Sequence, residues 1–108
     1  MSGKPVLPRE LAHRDVEAAI DYCVHEAGPD IALNFIKALQ SAYRAIAEHP
    51  AHGSPRYAQE LALPELRSLA VKGFPYLVFY IERDDHIDVW RVLHDRRAIP
   101  SRMRGPET

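Results

Sequence analysis

Tyr76-Leu77-Val78-Phe79-Tyr80-Ile81-Glu82, followed after a short gap by Ile87-Asp88-Val89-Trp90-Arg91-Val92-Leu93, decides how this 108-residue chain folds. The first run is apolar at almost every position, the pattern of a central strand covered on both faces. The second alternates, with Ile87, Val89, Arg91 and Leu93 on one side and Asp88, Trp90 and Val92 on the other. Arg83-Asp84-Asp85-His86 between them has hairpin length, so the two strands run antiparallel. Upstream, the run from Leu66 to Lys72 sets Arg67, Leu69 and Val71 on one face, and Gly73-Phe74-Pro75 makes a second tight connection.

Before this sheet the apolar period is close to 3.6. Val16, Ala19, Ile20, Cys23 and Ala27 trace one helical stripe from about Ala12 onward, while Arg14, Asp15, Glu17, Asp21 and Glu26 read as its solvated face. Gly28-Pro29 ends that helix and starts another, since glycine suits a helix C-terminus and proline the first helical position. Ala32, Phe35, Ile36, Leu39, Tyr43, Ile46 and Ala47 form the second stripe, which must stop near His49 because the residue before Pro50 leaves the helical region. His49 to Pro64 is a loop by composition. Val6-Leu7, flanked by Pro5 and Pro8, is compatible with an edge strand. The economical architecture is α+β: an N-terminal α-hairpin packed on one face of a three- to four-stranded antiparallel sheet, in one domain over residues 1–108 with a basic tail at 101–108.

Composition narrows the function. With 46% apolar and 27% charged residues the chain has the balance of a globular domain, and a formal charge of −1 argues against a dedicated nucleic-acid binder. The lone Cys23 cannot form an intramolecular disulfide, and no window has the length of a membrane span, so a soluble cytoplasmic protein is expected. Cys23 lies on an apolar stripe and reads as a core thiol. His49 and His52 flank Pro50 without further ligands, so no metal and no cofactor is expected. Asp84, Asp85 and Asp88 read as turn formers and edge protection. The charge is uneven: between positions 89 and 104, Arg91, Arg96, Arg97, Arg102 and Arg104 face only Asp95. Arginine suits bidentate pairing with carboxylate or phosphate, which makes this end a candidate contact surface.

The order of elements, with Leu66-Arg67-Ser68-Leu69, Tyr76-Leu77-Val78-Phe79-Tyr80 and Trp90-Arg91-Val92-Leu93-His94-Asp95-Arg96-Arg97, resembles the ParE/RelE superfamily of toxin–antitoxin toxins, on its ParE side. The stretch from Arg91 to Arg97 is the most specific piece. The helix start at Asp15–Ile20 and the helix end at His49-Pro50 also resemble the pattern, and the similarity spans roughly residues 5–100. The resemblance implies a growth-arresting, plasmid-stabilising toxin bound by a ParD-like antitoxin and acting on DNA gyrase, with no sequence-specific DNA binding of its own. Arg67, Trp90, Arg91, His94, Arg96, Arg97 and Arg102 are then the expected target- and antitoxin-binding residues, with none catalytic.

The RelE-like branch, which cleaves mRNA on the ribosome, is the alternative. Cutting a phosphodiester needs cations at the scissile phosphate and groups to move protons. Where that branch commonly has an arginine this chain has Leu77, and no tyrosine follows Tyr80. His94 with Arg91, Arg96 and Arg97 is the set left for such chemistry. A third reading is a non-toxic subunit that only stabilises its antitoxin.

Overall fold

The computed structural model describes residues 3–95. Strand β1 (Val6–Pro8) leads into helices α1 (Glu10–Ala27) and α2 (Pro29–Glu48), then a single 3₁₀ turn at Pro50–His52, and strands β2 (Arg67–Ala70), β3 (Tyr76–Glu82) and β4 (Ile87–His94). Gly28 does the work at the helical corner. Its φ of 93° is open to glycine, and its N–H donates to the carbonyls of Cys23 and Val24 at 3.1 and 3.0 Å, closing α1. Pro29 then opens α2.

Small residues let the helices approach. Ala12, Ala19 and Cys23 of α1 are buried, as are Ala32, Phe35, Leu39, Ala42 and Ile46 of α2. They pack on Tyr76, Val78, Tyr80, Ile87, Val89 and Val92 of the sheet in one cluster. Phe35 is the anchor: Phe74 and Tyr76 both meet its ring edge-on with centroids 5.3 Å away. Ala27, expected on the α1 stripe, is exposed at the last position of the helix.

The sheet order is β1-β4-β3-β2. The β2–β3 and β3–β4 pairs are antiparallel, as their short connections require. Strand β1 departs from expectation by pairing parallel to β4, with Val6 opposite Ile87. The hairpin argument applies only to strands joined by tight turns, and β1 reaches β4 from the other end of the chain. The sheet is therefore four-stranded and mixed.

A second departure lies in β4. Its register shifts between Phe79, which pairs with Arg91, and Tyr80, which pairs with Val89, so Trp90 is an extra residue. Such a bulge reverses the alternation of side chains beyond it. Val92 consequently joins the helix-side core and Leu93 the opposite cluster, the reverse of the simple alternation.

That opposite face is covered too. Leu66, Phe79, Ile81 and Leu93 form a second buried cluster with Tyr57, Leu61, Leu63, Leu77 and Trp90 against it. The segment between the 3₁₀ turn and β2, a mere connection by composition, is thus the lid of the sheet's outer face. One residue ties it down. The Tyr80 hydroxyl donates to the Pro50 carbonyl at 2.6 Å and accepts from the Gly53 N–H at 3.0 Å, while Arg67 Nη1 donates to the Gly53 carbonyl at 2.7 Å.

A Cβ at Gly53 would collide with the Tyr80 hydroxyl and crowd the Arg67 Cβ. Gly53→Ala is expected to cost about 1–3 kcal/mol by overpacking. Tyr80→Phe, which leaves the Gly53 amide and Pro50 carbonyl short of a partner, should cost a similar ~1–3 kcal/mol. Urea unfolding midpoints check both.

Candidate functional site

The C-terminal end of β4 is built around a carboxylate from the other end of the chain. Asp15 lies in the second turn of α1, and Arg91 Nε and Nη2 donate to its two oxygens at 2.7 and 2.8 Å. The side chains are only 9% and 8% exposed. Strand β1 has ended before this point, so among the described residues no strand pairs with that edge of β4 beyond Val89. The Val92 N–H instead donates to Asp15 Oδ2 at 3.0 Å. One carboxylate therefore accepts three hydrogen bonds, and the Arg91 guanidinium is held even more firmly protonated by its bond to Asp15.

Asp15 does not belong to the solvated face assigned to α1. It falls three residues after Ala12 and four before Ala19, both buried, so helical spacing already put it on the core side. Its charge concealed that signal. Nearby, burial and then the negative field of Asp15 push the Tyr43 hydroxyl up to about 12.

The other expected site residues are spread out. Arg67 braces the lid through Gly53. His94 is half-buried, its ring edge-on to Tyr76 at 5.3 Å and its Nδ1 3.7 Å from Asp95 Oδ1. Trp90 is half-buried on the outer face of the sheet. Arg96, Arg97, Arg102 and the tail at 101–108 lie outside the described residues.

Around Trp90 the structure assembles a group that sequence reasoning missed. Asp88 is not a turn residue: it sits within β4, 6% exposed. Arg9 grips it bidentately, Nε to Oδ1 and Nη2 to Oδ2, both at 2.9 Å. Arg83 reaches the same Oδ2 through Nε at 3.1 Å and Nη2 at 3.0 Å, and Trp90 Nε1 donates to it at 3.2 Å. Burial alone would raise the Asp88 carboxyl, but the bonds from Arg9 and Arg83 outweigh it and hold the group below the usual carboxylate range. The Arg9 guanidinium also stacks over the indole at 4.2 Å. Arg9 and Arg83 stand 79 and 5 residues from Asp88, so only the parallel pairing of β1 with β4 reveals the cluster.

Cys23 is buried in the core, where burial raises its thiol. Among the described residues no group of three or more His, Cys, Asp or Glu is placed to hold a metal ion. No described helix is long and apolar enough to cross a membrane.

A family model described as "ParE toxin of type II toxin-antitoxin system, parDE" matches residues 6–99. No curated protein matches the chain. Among solved structures, the chromosomal ParDE TA system from P. aeruginosa is similar with a TM-score of 0.70 at 19% identity, covering 84% of this chain and 95% of that chain. At that identity the likeness concerns the fold.

Two outcomes follow from the Asp15 site. Asp15→Ala and Arg91→Met should each lose about 3–5 kcal/mol, because either strands a buried charge. The double variant should lose clearly less than the two losses combined, as a urea-denaturation double-mutant cycle would read. For Tyr43, a folded-state pKa raised from 10.0 to about 12 means its contribution is complete below pH 10 and is lost as pH climbs toward 12. Tyr43→Phe should flatten that alkaline decline in a pH series of thermal unfolding.

Proposed function

Since the chain belongs to the ParE toxin family of type II toxin–antitoxin systems, we propose that it arrests growth by capturing DNA gyrase and is neutralised by a ParD-like antitoxin. The mechanism is surface binding, without bond chemistry by the toxin itself.

The state of Arg91 is what carries the choice between capture and RNA cleavage. A nuclease on this scaffold needs cations free to meet a scissile phosphate and a group to move a proton. Arg91, the cation nearest His94 in the described part of β4, spends its guanidinium on Asp15 and is 7% exposed. Leu77 packs into the apolar cluster of the outer face, so that position offers no charge either. Arg91 accordingly serves the contact surface from beneath, by fixing the end of β4, while Trp90 and His94 stand closer to solvent. Arg96, Arg97 and Arg102 add positive charge to this end by sequence.

The helical layer supports the same reading. Tyr22 (58% exposed), Val24, Ile31 and Leu33 (54% exposed) flank the Gly28 corner. Apolar groups gathered at one end of a chain whose formal charge is −1 favour protein contacts over RNA.

Inducing the chain alone in bacteria should trap cleaved DNA–gyrase complexes and raise DNA-damage signalling before translation falls, and co-expressed antitoxin should restore growth. His94→Gln, which keeps a polar side chain but cannot move a proton, should leave the trapping intact. Ribosome-dependent mRNA cuts without gyrase trapping would reverse the assignment to the RelE-like branch. Normal growth without antitoxin would show a subunit that is no toxin.

A further inference from the structure

The Asp88 cluster holds one more positive charge than it needs. Arg9, Arg83 and Asp88 sum to +1, and both guanidinium groups converge on the same carboxylate oxygen, Oδ2. Each arginine engages Asp88 through Nε and Nη2. A guanidinium carries five N–H donors, so the Nη1 group of each remains, and among the described residues neither Nη1 bonds to protein. The side chains are 49% and 39% exposed, above a carboxylate that is 9% exposed. This is a preorganised pair of donors: Asp88 has already fixed the two forks, so an arriving anion need not order them.

The surroundings define which anion. Leu7 pairs in register with Asp88 and so shares its outer face, where it is 53% exposed. Trp90 lies on that face as well, beneath Arg9. An exposed leucine and an indole beside two arginines suit a peptide that carries an apolar side chain next to a carboxylate. A polyanion fits poorly, because Asp84 and Asp85 follow Arg83 and repel a continuous run of charge, whereas a peptide can space its carboxylates; Glu82 is already paired with Lys4 at 2.8 Å. Strand addition is also disfavoured: β1 is three residues long, ends at Pro8 and follows Pro5, leaving a short edge with little hydrogen-bonding capacity. The contact is made by side chains.

We propose that Arg9, Arg83, Trp90 and Leu7 form a docking patch for an acidic segment of the antitoxin, with one carboxylate seated between the guanidinium groups and an apolar neighbour on Leu7 and Trp90. This rests on the antitoxin reading above and adds to it a location on the outer face of the sheet, formed by described residues. The patch lies on the outer face of the sheet, away from the helical hairpin, so an antitoxin segment that reaches both must wrap around the β1 edge.

The test uses a reporter the molecule already contains, because Trp90 is its single tryptophan. The full chain is titrated with full-length cognate antitoxin, by calorimetry, and with a tryptophan-free synthetic peptide of the antitoxin's acidic segment, by Trp90 fluorescence. The peptide should shift Trp90 emission saturably. Arg83→Gln, which leaves Arg9 to hold Asp88, should weaken peptide binding about five- to tenfold, and added salt should weaken the parent more than the variant. Leu7→Ser should weaken it at unchanged salt dependence, and Arg56→Gln, in the lid, should change nothing. Full-length antitoxin that binds parent and Arg83→Gln equally, while the peptide leaves Trp90 silent, overturns the patch and spares the antitoxin reading. Antitoxin that binds no form of the chain overturns both. A single-stranded RNA oligonucleotide that shifts Trp90 more tightly than the peptide overturns the patch in favour of nucleic acid.

Discussion

Asp15 is where the two layers of the molecule are joined by something more specific than apolar contact. Its carboxylate takes both forks of Arg91 and the Val92 amide across a separation of 76 and 77 residues. Apolar packing of Ala12, Ala19 and Cys23 on the sheet would tolerate small slides and rotations of α1. Three directional bonds to one carboxylate do not. A buried pair of this kind gains little net stability over an apolar one, since desolvation offsets most of the attraction. What it contributes is register. It sets how far α1 extends over β4 and satisfies the β4 edge beyond the end of β1.

The bulge at Trp90 belongs to the same arrangement. Without the extra residue, strict alternation from Val89 would set Val92 on the outer face and Leu93 on the helix side. With it, Val92 enters the helix-side core beside the Arg91–Asp15 pair and Leu93 joins the outer cluster. Trp90 is left on the outer face, where Arg9, the residue between β1 and α1, stacks on it. The internal ion pair and the outward-facing arginine cluster thus meet in β4 at one local irregularity.

Much of this was legible in the chain. Period alone gave both helices, the Gly28-Pro29 corner and the antiparallel β2–β3–β4 meander, because each rests on neighbours close in sequence. The misses share a cause, which is long-range pairing. Nothing local says that Val6–Pro8 runs parallel to β4, that residues 53–66 cover the outer face, or that a bulge interrupts Ile87–His94. The charged residues were read by type, which sent Asp15 to the solvent and Asp88 to a turn. Helical spacing beside Ala12 and Ala19 already contradicted the first. The second needed Arg9, which only the folded sheet brings near.

The chain thus uses its arginines in two ways: Arg91 inward, as part of the frame, and Arg9 with Arg83 outward, half-exposed and preset by Asp88. On the proposed reading, in which the toxin works by capture, a rigid frame is needed more than a titrating group. The frame is tested most directly by native-state hydrogen exchange of the Val92 amide, whose bond is to the Asp15 side chain. Exchange only through global unfolding, with the same free energy as the buried Val78 amide, is the result that fits. Rapid exchange of Val92 by local opening, while Val78 stays protected, would show that Asp15 does not hold the layers together.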